Sequence, residues 1–82
     1  MIIEYPLLSE KAVNMIEKEN KLAFAVSKNA TKKQIKEEFE KMYNVKVAEV
    51  NTVMGIKGKK KAFIRLKPEF KAMDLATKLK LI

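Results

Sequence analysis

Lys57, Lys59, Lys60 and Lys61 are the densest positive run of this 82-residue chain. The chemistry open to them is narrow. Ammonium groups on a projecting connection meet phosphate as point charges and need no fixed base geometry. A lysine loop that only protects a hairpin from edge pairing is the competing reading, and charge alone does not separate the two. A second set, Lys28, Lys32, Lys33 and Lys36, surrounds Asn29 and Thr31 where a helix is expected to begin. A helix N-terminus offers unpaired N–H groups and partial positive charge, so a phosphate is received there readily. First-turn lysines oppose the macrodipole, which a bound anion offsets. Taken singly, each of them reads equally well as part of a solvated face.

Catalysis finds little to work with. The chain has no Cys and no His, which removes thiol nucleophiles, imidazole bases, zinc-finger ligand sets and disulfides. Glu37, Glu38 and Glu40 cluster, yet among lysines on a predicted helix they read as a solvated face. No phosphate loop of nucleotide-binding spacing occurs. Gly55-x-x-Gly58 lies between predicted strands rather than helices, unlike the backbone clamp of some RNA-binding domains. The expectation is a non-enzymatic protein with no metal and no cofactor.

The charge is also one-sided. Eighteen basic and ten acidic residues give +8; residues 1–41 hold eight and seven of them, residues 42–82 ten and three. Such a surplus points to a polyanionic partner. Met1–Ile2–Ile3–Glu4–Tyr5–Pro6 lacks the basic region of a signal peptide, and no apolar run approaches a membrane span. A cytoplasmic location without membrane insertion is expected.

Six elements must position these groups. Ser9 is a predicted N-cap for a helix to about Lys18, with Ala12, Val13 and Ile16 on one face. Lys21–Ser27 alternates as a strand, with Leu22, Phe24 and Val26 on a heavy face and Ala23 and Ala25 on a light one. Thr31 and Gln34 form a capping-box pattern, and Ile35, Phe39, Met42 and Tyr43 make one apolar stripe over 31–43. Lys33/Glu37, Lys36/Glu40 and Glu37/Lys41 are spaced for ion pairs of ~0.2–0.5 kcal/mol each. Val45–Met54 is strand-like, but its alternation slips, which predicts a bulge near Ala48–Glu49. Gly55–Lys59 then turns into an alternating strand, Lys60–Lys67, and a short helix follows Pro68.

The element order predicts an α+β fold: a small three- to four-stranded, mainly antiparallel sheet with helices packed on it, a ferredoxin-like or RNA-recognition-like sandwich. A right-handed crossover between the 21–27 and 45–54 strands leaves a gap that the 60–67 strand fills, antiparallel to both. Residues 2–4 are candidates for an edge strand. One domain, 1–82, with a short basic loop at 55–61, is expected. Phe63 and Arg65 share a face of the central strand, where they could stack bases. The alternative puts Phe63 in a core beneath the first helix, whose Val13 and Ile16 need something to pack against. On that account Arg65 reaches past the sheet edge as the better nucleic-acid candidate.

Pro6-Leu7-Leu8-Ser9-Glu10-Lys11-Ala12 resembles the Pro-x-x-(Ser/Thr)-Glu-Lys opening of the L twenty-three family of large-subunit ribosomal proteins. Matches continue in order through Val26–Lys36, Val45–Val47, Val50–Thr52 and Gly58–Leu66, across nearly the whole chain. The resemblance implies a structural protein, monomeric when free, that binds large-subunit rRNA beside the polypeptide exit tunnel. It implies a small helical ribosomal protein as neighbour, and a docking point for the signal recognition particle or a translocon at Leu8 and Glu10. By position it carries over rRNA contacts at Ser9, Lys11, Lys28, Asn29, Thr31, Lys32, Lys33, Lys36, Asn51, Thr52, Lys57, Lys59, Lys60, Lys61 and Arg65. Two departures from the bacterial pattern stand out: the Gly55–Lys59 loop is short, as in archaeal-type members, and Asn44 stands where bacterial members carry an acidic residue. A free-standing nucleic-acid protein of the chromatin type is the rival reading.

Overall fold

Thr31 starts the central helix as its sequence predicts. Its Oγ1 accepts from the Gln34 N–H at 3.1 Å while Gln34 Oε1 accepts from the Thr31 N–H at 3.0 Å, closing the capping box. This helix, Lys32–Tyr43, lies across a four-stranded sheet in a computed structural model that describes residues 2–79. Met1 and residues 80–82, the ends of the expected 1–82 domain, lie outside the described residues.

In chain order the elements are β1 Ile3–Pro6, α1 Glu10–Glu19, β2 Lys21–Val26, α2 Lys32–Tyr43, β3 Val47–Met54, β4 Lys60–Leu66 and α3 Ala72–Lys78. A single 3₁₀ turn, Ile56–Gly58, joins β3 to β4. The sheet order is β1-β2-β4-β3, and every neighbouring pair is antiparallel. The predicted α+β architecture and the central place of the 60–67 strand are therefore observed. The edge strand runs Ile3–Pro6, whereas the sequence points to residues 2–4.

Two bulges decide which side chains reach which face. In β3, Val47 opposes Leu66 and Glu49 opposes Arg65, so Ala48 is extra. That bulge lets Val47 and Val50 both turn into the core. In β1, Ile3 opposes Val26 while Tyr5 opposes Ala25. Glu4 is the extra residue there, and Ile3 is buried while Tyr5 is 47% exposed.

The core lies between α2, α3, Ile16 of α1 and the face carrying Leu22, Phe24, Val26, Ala62, Ile64 and Leu66. Phe39 packs edge-on against Phe24 and Tyr43, with centroids 5.5 and 4.8 Å away. Burial of the Tyr43 phenol pushes its pKa up from 10.0. Met42 departs from the expected stripe: it is 41% exposed on the outer flank of α2.

The acidic triplet of α2 is also placed differently from its predicted solvated role. Glu38 Oε2 accepts from the Ile3 N–H at 2.9 Å, and Glu40 Oε2 accepts from the Val47 N–H at 2.8 Å. Both carboxylates are half-buried, and they tie the helix to the two outer strands of the sheet. The expected Lys33/Glu37, Lys36/Glu40 and Glu37/Lys41 pairs are not closed; among the described residues the ion pair formed is Lys21–Glu19, at 3.4 Å.

Asn20 holds the far end together. It ends α1 in the left-handed region (φ 57°), which Asn tolerates better than most residues. Its Nδ2 donates to the Leu66 and Phe70 carbonyls at 3.2 and 2.9 Å, and its Oδ1 accepts from the Ala72 N–H at 2.6 Å.

Candidate nucleic-acid interface

The two lysine clusters, thirty residues apart in sequence, meet at one end of the sheet. Val26, the last residue of β2, pairs with Lys60, the first of β4, and Lys60 also pairs with Met54, the last of β3. The turn Ser27–Ala30 and the start of α2 therefore emerge beside the β3–β4 loop. Lys60 makes the connection explicit: its Nζ donates to the Ala30 carbonyl at 2.7 Å. A groove of about 280 Å³ between them is lined by Lys28, Lys59 and Lys60 together with Tyr5 and Ala25.

The loop itself is tight. The Gly55 N–H donates to the Lys59 carbonyl at 2.6 Å. Lys57 and Gly58 both adopt positive φ, 67° and 72°; Gly58 does so without a Cβ penalty, whereas Lys57 bears one. Lys57 and Lys59 are exposed. Lys28, Asn29, Thr31, Lys32, Lys33 and Lys36 are all exposed as well. Lys32 and Lys33 occupy the first turn of α2, which contains no acidic residue to balance them.

The remaining predicted contacts divide by sheet face, because directly paired residues project to the same side. Away from the core, one row runs Tyr5, Ala25, Lys61, Val53; the next runs Ala23, Phe63, Asn51; the third holds Lys21, Arg65, Glu49. Lys61 and Arg65 are exposed on this open face, and Asn51 is half-exposed, its Nδ2 donating to Glu49 Oε1 at 3.1 Å. Thr52 pairs with buried Ala62 and so points to the helical side, apart from Asn51. Arg65 sits at the far end of β4 from the loop, in a groove with Glu17, Lys18 and Glu19.

Phe63 falls between its two sequence readings. α1 covers part of it, since Ala12 and Met15 share with it a groove of about 240 Å³, but it stays half-exposed and outside the main core. Ile16 belongs to that main core instead, and Val13 is half-buried. Lys11 and Lys61 line the same groove as Phe63. Ser9 is exposed, and its Oγ accepts from the Ala12 N–H at 3.1 Å, so its cap role is filled. Leu8, 55% exposed, and Glu10 flank this cap.

Tyr5 is the residue that sequence reasoning passed over. With Ile3 buried, simple alternation puts Tyr5 inside; the extra residue Glu4 brings it out into the row of Ala25 and Lys61. A Pro at the end of a short edge segment was the one available signal that the strand extends to residue 6.

Comparison with known proteins bears on the whole chain. The sequence profile of the family described as Ribosomal protein L23 matches residues 1–78. The large ribosomal subunit protein uL23 of Pyrobaculum aerophilum is 50% identical over 78 residues, covering 95% of this chain and 96% of the relative. That of Methanococcus vannielii is 47% identical over 78 residues, covering 95% and 91%.

Proposed function

The chain belongs to the ribosomal protein L23 family, and from that premise we propose that it is a structural component of the large ribosomal subunit that binds large-subunit rRNA near the polypeptide exit tunnel. The observation that carries the reading is the meeting of Lys28 and the start of α2 with Lys57–Lys61 at one end of the sheet. A rigid antiparallel body holds those ammonium groups in fixed relation, so they match phosphates of a folded RNA rather than any passing polyanion. Lys57, Lys59, Lys61, Lys28, Lys32, Lys33 and Lys36 supply the phosphate contacts; Asn29, Thr31, Asn51 and Thr52 supply hydrogen bonds to sugar and phosphate, and Ser9, Lys11 and Arg65 extend the interface along the open face. Lys60 orders the loop from within while keeping donors free for an outer contact. Leu8 and Glu10 lie outside the basic end and serve protein partners: a small helical ribosomal protein, and the signal recognition particle or a translocon. The work is done by position and charge, without a reaction.

The test is filter binding of the purified protein across a salt series, with a structured large-subunit rRNA fragment and random duplex DNA in parallel. The reading expects preference for the rRNA fragment that persists as salt rises. Equal affinity for both overturns it and favours a general nucleic-acid binder.

A further inference from the structure

β2 contributes two alanines, Ala23 and Ala25, to the side of the sheet away from the core, and both are buried between bulkier neighbours. Their small side chains leave two adjoining depressions. One, of about 280 Å³, has Ala25 in its floor and Tyr5, Lys28 and Lys59 around it. The other, of about 240 Å³, has Ala23 in its floor and Phe63, Lys61 and Lys11 around it. Each thus combines one aromatic ring with at least two ammonium groups. Ala23 and Ala25 are two residues apart on one strand, so the depressions are about 7 Å apart along it. Among the described residues lining the two, Glu4 is the one acid.

We infer that this face holds two consecutive unpaired nucleotides of an RNA strand, one base against Tyr5 over Ala25 and the next against Phe63 over Ala23. The inference rests on the RNA-binding reading above and names a specific mode for it. The chemistry is that of sheet surfaces that bind single strands: every base has a π-face, so aromatic side chains stack it, while flanking cations follow the backbone. Lys28 and Lys59 lie beside the first base, and Lys61, in the row of Tyr5 and Ala25 yet lining the depression of Phe63, is placed to meet the linking phosphate. A duplex cannot enter, because its bases are stacked inside and present no free face to either ring. An apolar peptide is the rival occupant. It gains nothing from the lysines, and the charge around both depressions favours the anion.

The test titrates the full-length protein with a short single-stranded RNA, with its duplex, and with an apolar peptide, following backbone amide shifts by NMR and affinity by anisotropy. Shifts concentrated at Tyr5, Ala23, Ala25, Lys61 and Phe63 with the single strand alone are expected. Tyr5→Ala, at an exposed position, should weaken single-strand binding about 5- to 150-fold with an unchanged salt slope, since stacking releases no counterions. Tyr5→Phe should retain the affinity, which separates the ring from its hydroxyl. Unaltered affinity in Tyr5→Ala, equal binding of the duplex, or shifts on this face with the peptide alone would each overturn the inference. Binding of the structured rRNA fragment by the same Tyr5→Ala protein reports separately on the lysine interface: failure of stacking leaves its steep salt dependence in place, whereas failure of the RNA reading removes it.

Discussion

Lys60 and its neighbours carry the same charge to different ends. The Lys60 ammonium is held by the Ala30 carbonyl across the gap between the β3–β4 loop and the start of α2. Lys59 and Lys61 on either side are exposed. A hydrogen bond with a charged donor contributes more than a neutral one, but a half-exposed site is screened, so its removal should cost about 1 kcal/mol. Lys60→Ala should therefore lower the urea midpoint of unfolding, while Lys59→Ala and Lys61→Ala stay within about 0.5 kcal/mol of the parent. Salt dependence should divide the opposite way: Lys59→Ala and Lys61→Ala each make the slope of rRNA binding shallower by about 1. A Lys60→Ala protein of parental stability would mean that the bond to Ala30 does not order the loop. Sequence composition identifies the run of lysines, but which of them is spent internally depends on a carbonyl thirty residues away, and no local pattern records that.

At the scale of elements, the signals that worked were local. Thr31/Gln34 caps α2, the slipped alternation of 45–54 marks the bulge at Ala48, and Gly-flanked residues 55–59 turn the hairpin. Those that failed depend on tertiary partners. Glu38 and Glu40 look like any solvated helical carboxylates until the outer strands present Ile3 and Val47 N–H groups to them. Asn20 is the sharpest case. Its position after α1 suggests no more than a cap, yet its side chain closes three hydrogen bonds that join α1, the end of β4 and the start of α3. Removing it leaves two carbonyls and one N–H without that partner, an expected loss of about 2–4 kcal/mol. That is a large part of the roughly 4–12 kcal/mol typical of a chain this long. Asn20→Gly keeps the left-handed backbone accessible and removes only the side chain, so it should lose nearly as much as Asn20→Ala in urea unfolding. If Asn20→Gly instead matches the parent, the backbone conformation rather than the amide is what the position requires.

For the whole molecule, the question is whether net charge or its arrangement recognises RNA. The end opposite the loop is basic too: Lys18, Lys21, Lys46, Lys67 and Lys71 lie around the start of β2 and the end of β4. There, however, acids are interleaved. Lys21 pairs with Glu19, Arg65 stands across from Glu49 and beside Glu17, and Glu69 lies close to Lys71 in one groove. At the loop end, Glu4 is the one acid among the described residues that line the groove with Lys28 and Lys59, and Lys57 is exposed on the adjoining loop. Potential adds over a patch and cancels over a mixed surface, so equal numbers of lysines at the two ends do not attract an RNA equally. Two triple variants with the same net charge isolate this: Lys28, Lys57 and Lys59 to Ala at the loop end, and Lys46, Lys67 and Lys71 to Ala at the other. All six side chains are exposed, so neither set should disturb the fold. The first should make the salt slope of rRNA binding shallower by about 3 and weaken binding throughout the series; the second should change the slope by less than about 1. Equal losses in the two variants would mean that total charge draws the RNA in, and that the convergence of the two lysine clusters at one end of the sheet is incidental to binding.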